Sequence, residues 1–229
     1  MDEQTLRNLL NLEPEKSISK IQIFDEIDST NSESLRQIQS GNIENRVVVA
    51  SSQTAGRGRR GRQWLSPKNA GIYLSLTRRF SMEANALQAL SLVTAISVVE
   101  ALYQLGAQGL QLKWPNDVLF EKKKLAGILL ELQHKENSRF VVFGIGVNIE
   151  LPANLLDSID RPVTDLYNIM NEPPSRVILL AALLNQLCRN LEKYEGSGFS
   201  SFEERWNGLD CYRMNDIEIQ KGNSRLIGK

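Results

Sequence analysis

Between residues 110 and 149 the chain runs through short apolar stretches separated by tight polar turns, and this pattern limits the possible folds more than any other feature. Leu110-Gln111-Leu112-Lys113-Trp114 and Val118-Leu119-Phe120 flank Pro115-Asn116-Asp117, and the polar turn Glu121-Lys122-Lys123 follows. Residues 125–133 and 139–149 then face each other across a turn that carries His134. Such runs, bounded by turn residues, predict strands joined by hairpins. Further strands are expected at 18–24, 46–51 and 71–77. Apolar residues at Leu87, Leu90, Val93, Ile96, Val98 and Leu102 predict the longest helix over 84–105, closed by Gly106. An amphipathic helix is expected over 175–195 and a short one over 200–207. Thr30 with Glu33 makes a capping-box pattern for a helix that Gly41 ends. Hairpins in the middle, bracketed by helices, predict an α+β fold with a mixed, largely antiparallel sheet flanked by helices.

The 229 residues suffice for one large domain, or for one with a small appendage. Residues 1–17 read as a polar leader broken at Pro14, residues 18–209 as the main domain, and residues 210–229 as the start of another unit, with strand-like alternation from Tyr212 to Ile219. Lys+Arg and Asp+Glu balance at 27 each, so there is no global basic field of the kind a general nucleic-acid binder carries. The polar, acidic start is not a signal peptide, and no apolar run reaches membrane-spanning length. Cys188 and Cys211 lack metal-ligand spacing, and a reduced, cytoplasmic protein is the expectation. The single histidine lies in a polar turn, which disfavours serine–histidine hydrolysis and zinc chemistry.

Against that neutral background one segment is locally extreme. Gly56-Arg57-Gly58-Arg59-Arg60-Gly61-Arg62 places four arginines between three glycines. Glycine lets backbone amides approach a ligand. Arginine presents a planar fork of donors matched to phosphate and carboxylate oxygens. With no apolar residue to pack, the loop is expected to stay mobile until an anion neutralises it. Gly56-x-Gly58-x-x-Gly61 formally fits the dinucleotide fingerprint, but Pro67 and the lack of helical periodicity exclude the helix that fingerprint needs. A solvated basic turn or an RNA contact is the plainer reading of this segment. Neutral net charge and the lack of aromatic platforms nearby count against RNA.

Four other segments stand with the arginine loop: Asp28-Ser29-Thr30-Asn31, Lys113-Trp114-Pro115-Asn116-Asp117, Lys124-Leu125-Ala126-Gly127-Ile128 and Gly144-Ile145-Gly146-Val147-Asn148. Singly, each has an ordinary explanation: a helix cap, surface lysines, core tryptophans, a strand kept bare for close approach. In this order and spacing, over about residues 21–210, they resemble the biotin protein ligases. The resemblance implies a catalytic domain like that of class II aminoacyl-tRNA synthetases and, at the C-terminus, an SH3-like segment that is incomplete here. It implies a monofunctional ligase using biotin, ATP and Mg²⁺, which activates biotin as biotinyl-5'-AMP and passes it to a lysine of a biotin carboxyl carrier domain.

The resemblance also distributes roles. Lys124, Arg57 and Arg59 would act in catalysis, cancelling the charge of two anions that must meet. Ser29, Thr30, Gln53, Gly56, Arg57, Arg59, Trp64, Lys124, Gly127 and Gly144 would bind biotin, with Gly127 and Gly144 leaving room for the bicycle and Trp64 walling it. Arg59, Arg60, Arg62, Lys113, Trp114, Asn116, Asp117 and Asn148 would bind ATP, and Asn116 with Asp117 would place Mg²⁺. The loop over 151–163 would help exclude water from the adenylate. It has no tryptophan, so cover over the adenine is expected from elsewhere or from an aliphatic residue such as Val163. About twenty residues precede the first strand, too few for a helix-turn-helix, so no DNA partner is expected; nor is a membrane, while a homodimer is allowed. Two other functions stay open on the sequence: ligation of lipoate or octanoate, and a non-catalytic biotin-binding sensor.

Overall fold

Strands and their neighbours account for most of the architecture. The computed structural model describes residues 2–11, 18–81, 87, 89–135, 138–156, 159–221 and 224–228. In chain order the elements are α1 (Glu3–Leu9), β1 (Lys20–Ile27), α2 (Thr30–Gln39), β2 (Arg46–Gln53), β3 (Gly71–Phe80), α3 (Leu90–Gln104), β4 (Leu110–Lys113), β5 (Asp117–Phe120), β6 (Lys123–Lys135) and β7 (Ser138–Asn148). Then follow α4 (Ala153–Leu156), α5 (Arg176–Ser197), α6 (Glu203–Leu209), β8 (Ile217–Lys221) and β9 (Ser224–Gly228). Seven strands form one sheet in the order β1-β2-β3-β7-β6-β5-β4. Only β1 and β2 run parallel, joined through α2; the other neighbours are antiparallel. The expected mixed, largely antiparallel sheet is therefore what forms, and β8 and β9 pair as a separate small hairpin.

Side-chain alternation decides which sheet face is core and which is site. Ile72, Leu74 and Leu76 of β3, and Phe143, Ile145 and Val147 of β7, join the main core with α3 and α5. The alternate residues point the other way. On that second face Phe140 and Val142 pack with Ile38 of α2, which is fully buried. Burying an isoleucine this way contributes about 1.5–3 kcal/mol. Next to this small cluster the register sets Ser75 opposite Gly144, Gly144 opposite Leu129, Tyr73 opposite Gly146, and Gly146 opposite Gly127. Three glycines thus leave a bare backbone floor beside α2.

Several expectations change. The helix expected over 84–105 starts at Leu90, with Ala89 at its cap and no capping side chain; residues 82–86 and 88 lie outside the described residues. The longest described helix is α5, whose exposed polar turns carry it to Ser197 before Gly198 (φ 66) stops it. The cap of α2 is Ser29, whose side chain accepts from Ser32 N, and not Thr30. Thr30 is drawn inward to Gln53 and Ser75, and Glu33 pairs with Arg36 at 2.9 Å. The C-terminal strand begins at Ile217 because residues 210–215 form successive turns, with Met214 at φ 63. The leader contains a short helix, α1, capped by Asp2, with Leu6 buried; Pro14 lies outside the described residues. His134 is exposed near the end of β6, paired with Arg139, and residues 136–137 of its turn lie outside the described residues. Among the described residues, no helix is long and apolar enough to cross a membrane.

Candidate active site

A cavity of about 510 Å³ opens above the glycine floor, between α2, the arginine loop and the β4–β5 turn. Its inner end is polar. Thr30 N donates to Gln53 Oε1 at 2.9 Å, and Gln53 Nε2 donates to Ser66 Oγ at 2.7 Å. Ser75 Oγ lies 2.8 Å from Thr30 Oγ1 and donates to Asn31 Oδ1 at 2.6 Å. The turn leading into α2 is braced from behind: Arg36 grips Asp28 through two bonds of 2.7 and 2.8 Å, and Ser29 N donates to Asp28 Oδ1 at 2.7 Å. Arg36 holds the Asp28 carboxyl down at about 2.

The floor glycines differ in what they admit. A Cβ on Gly146 would sit 2.5 Å from Trp64 Cε2, and one on Gly127 would sit 2.9 Å from Trp64 Cζ3. The indole therefore lies directly on bare strand. Its Nε1 is buried with no hydrogen-bond partner, a state that costs about 1–3 kcal/mol for a group left unsatisfied. A Cβ on Gly144 would meet Asn31 Oδ1 at 2.2 Å. The space at Gly144 is thus taken by Asn31, and that at Gly127 and Gly146 by Trp64.

The arginine loop is a narrow excursion from the end of β2. Gly56 O accepts from Trp64 N, Gly58 N donates to Arg62 O at 2.7 Å, and Arg59–Gly61 form one tight turn with Arg60 left-handed at φ 56. No α-helix starts there; the turn is a single 3₁₀ turn. Arg57 pairs with Glu131 at 2.7 Å, and Arg59 donates to Asn116 Oδ1 at 3.1 Å.

Lys124, 8% exposed, faces this loop from the start of β6. Its ammonium lies 2.5 Å from Asp117 Oδ1. Burial pushes its pKa below 10.5; Asp117 opposes that push, while Arg161 and Arg62 add to it. The Lys124 backbone is fixed as well: its N–H donates to Pro162 O at 2.9 Å, and its carbonyl accepts from Thr164 N at 3.0 Å. Asn116 Nδ2 donates to Ile128 O at 2.8 Å, which sets the β4–β5 turn against β6.

Of the residues proposed from the sequence, Ser29, Thr30, Gln53, Arg57, Arg59, Arg60, Arg62, Trp64, Lys113, Trp114, Asn116, Asp117, Lys124, Gly127 and Gly144 all line the cavity. Trp114 is 58% exposed at the rim, and Lys113 lies 5.8 Å from the Tyr212 ring. Gly56 and Asn148 do not line it. Gly56 is bare because a Cβ would strike Trp64 O at 2.2 Å. Asn148 Nδ2 is spent on the carbonyls of Thr164 and Lys124. Val163 pairs with Lys124 backbone to backbone, and it is its neighbour Arg161 that reaches the cavity. Asn31, Tyr73, Gly146 and Arg161 line the cavity without having been assigned a role. The lining carries seven cationic side chains, Arg57, Arg59, Arg60, Arg62, Lys113, Lys124 and Arg161, against the single carboxylate of Asp117.

Comparison with known proteins gives a consistent picture. The model of the biotin/lipoate A/B protein ligase family matches residues 23–148. The chain is 44% identical over 189 residues to a biotin–[acetyl-CoA-carboxylase] ligase of Paracoccus denitrificans, covering 78% of this chain and 76% of that protein. It is 36% identical to the bifunctional ligase/repressor BirA of Salmonella typhimurium over 88% of its length, and spans 63% of that protein. A biotin protein ligase from Aquifex aeolicus, solved in complex with biotin and ATP, superposes with a TM-score of 0.75 at 30% identity, over 93% of this chain and 87% of that one.

Proposed function

The chain belongs to the biotin/lipoate A/B protein ligase family, and from that premise we propose that it activates biotin with ATP and transfers the biotinyl group to a lysine of a biotin carboxyl carrier domain. The observation that carries this reading is the cavity's charge, seven cations against one carboxylate. Two anions, a carboxylate and a triphosphate, repel each other, and a cavity so charged offsets that repulsion where they meet.

In the first step a biotin carboxylate oxygen attacks the α-phosphorus of ATP, and the bond to the pyrophosphate oxygen breaks. Lys124, held at the junction of floor and arginine loop, would bridge the carboxylate and the α-phosphate. Arg57, Arg59 and Arg62 would take the phosphate oxygens, with Arg60, Lys113 and Asn116 beside the nucleotide and Trp114 at the rim. In the second step the neutral amine of the acceptor lysine attacks the biotinyl carbonyl, the acyl–phosphate bond breaks, AMP leaves and the amine gives up a proton. Neither step needs a nucleophile from the enzyme.

Asp117 is the one carboxylate of the lining, and Asn116 stands next to it. Asp117 Oδ1 pairs with Lys124 and Asn116 Oδ1 accepts from Arg59, so Asp117 Oδ2 is the oxygen that would hold Mg²⁺ carried in with nucleotide phosphates, an ion that keeps few protein ligands. The metal when bound would screen phosphate charge.

The polar inner end, Ser29, Thr30, Asn31 and Gln53, favours a ureido ring with fixed donors and acceptors over the aliphatic tail of lipoate or octanoate. The small β8–β9 hairpin is taken as SH3-like. The test is exchange of labelled pyrophosphate into ATP. Exchange that requires biotin supports the proposal; exchange driven equally by lipoate, or binding of biotin with no exchange at all, overturns it.

A further inference from the structure

We infer that Glu131 is a positioning residue for Arg57: its carboxylate ties the arginine loop to the polar floor, so that the guanidinium is aimed before any anion arrives. The inference rests on reading the cavity as the meeting place of two anions.

Glu131 lies on β6 on the same sheet face as Gly127 and Leu129, four and two residues earlier. Its two oxygens are divided between two partners. Oε2 accepts from Asn31 Nδ2 at 2.9 Å, and Oε1 accepts from Arg57 Nη2 at 2.7 Å. Asn31 is itself rigidly held. It is 3% exposed, its Nδ2 also donates to Leu129 O at 3.3 Å, and its Oδ1 accepts from Ser75 at 2.6 Å. A carboxylate anchored on one side by a buried amide cannot swing freely. Its free side therefore fixes one arm of the Arg57 fork. The other arm reaches only Ser32 Oγ, at 3.4 Å, and further N–H donors of the guanidinium stay open to an anion.

Exposure argues that this pair serves position more than stability. The Arg57 side chain is 41% exposed and that of Glu131 21%. Ion pairs so placed add little to folding. A loop of glycines and arginines, by contrast, gains most from any contact that removes its freedom before reaction.

The test compares wild type with Glu131→Ala, Glu131→Gln, Arg57→Ala and the Arg57→Ala/Glu131→Ala pair. Biotin-dependent pyrophosphate exchange and thermal unfolding are measured on each full chain. Glu131→Ala is expected to lower kcat by about ten- to a hundred-fold at unchanged Tm, the range that misplacement of a reacting group produces. Glu131→Gln keeps the shape but has one oxygen for two donors, Asn31 Nδ2 and Arg57 Nη2, so it should lose rate as Glu131→Ala does. Glu131→Ala should add nothing once Arg57 is already alanine, because its effect passes through Arg57. Wild-type or faster exchange by Glu131→Ala overturns the inference, as do losses that multiply in the double variant. A wild-type chain with no biotin-dependent exchange overturns the functional reading and this inference with it, a result distinct from an active wild type indifferent to Glu131.

Discussion

The Lys124 ammonium lies 5.3 Å from the centre of the Trp64 ring. One face of the indole meets the sheet at Gly127 and Gly146, while the cation that also pairs with Asp117 stands beside the ring. Floor, aromatic wall and reactive charge are therefore one packed unit, and a change in any of them is felt by the others.

Lys124→Ala is expected to slow adenylate formation by about a hundred- to a thousand-fold, the scale for losing one preorganised charge contact, with the fold intact by circular dichroism. The pH profile adds a second check. Burial places the folded pKa of Lys124 below 10.5, and on the proposed mechanism the charged form is the active one. The rate should thus fall as pH rises through that lowered value, before 10.5 is reached. Between the two values the unfolded chain binds more protons, so this group makes stability rise with pH across the same window. In Lys124→Arg the alkaline limb should vanish, whatever the residual rate.

Gly146→Ala should expel the Trp64 ring from the floor, since its Cβ would fall 2.5 Å from the indole. Tryptophan emission, read with Trp114 and Trp206 replaced by phenylalanine, is expected to move to longer wavelength as Trp64 gains water. Biotin affinity should fall in parallel.

Arg59→Ala removes the arginine that bridges to Asn116. The adenylate should then leave the enzyme faster. A charge-assisted hydrogen bond contributes about 1.5–3 kcal/mol, which corresponds to a release rate raised about ten- to a hundred-fold. Single-turnover trapping of labelled adenylate by gel filtration measures this directly. Increased labelling of lysines on bystander proteins should accompany it.

Arg161→Ala should raise KM for ATP about ten-fold, the cost of one charge-assisted contact, and leave biotin binding in the absence of nucleotide unchanged. Its side chain reaches the cavity, and its acidic neighbour Asp160 is 3.9 Å away with its side chain 90% exposed. Isothermal titration with each ligand separately would show whether the effect is confined to the nucleotide.

Acid should loosen the turn before α2. Asp28 is held at about 2 by Arg36, below its ordinary 3.8. The stabilisation is complete above 3.8 and is lost as pH falls toward 2. Protection of the Ser29 and Ala55 amides, whose N–H groups bond Asp28, should fall over that window, measured relative to the intrinsic exchange rate at each pH. In Arg36→Ala the loss of protection should come at higher pH.

The hairpins of β4 to β7 were legible because their determinants are local: turn residues, and apolar runs of strand length. The α+β class followed from them. Helix ends were less legible. At α3 no capping side chain marks the start, and at α2 two adjacent hydroxyls, Ser29 and Thr30, compete for the cap until tertiary bonds draw Thr30 inward. The same locality limited the site. Arg57 and Lys124 announce themselves by residue type inside distinctive segments. Glu131 and Asn31 do not, because their pairing is made across 100 positions and only the strand register brings them together. Arg161 sits in a loop whose proline and acidic residues hide it; the bridge from Lys124 to Val163 is what brings it near. Gly144 shows how a residue type can be noticed without its neighbour being known: its missing side chain accommodates Asn31.

The glycine floor also gives the pocket a one-way capacity for change. At Gly127, Gly144 and Gly146 there is no side chain left to trim, so every substitution adds atoms beneath Trp64 or Asn31. Variation at these positions would unseat those two side chains before it reshaped the pocket itself. Enlargement has to come from Trp64 or Asn31, the two side chains resting on that floor. Efforts to admit bulkier biotin analogues should therefore begin with those two residues and leave the strands alone.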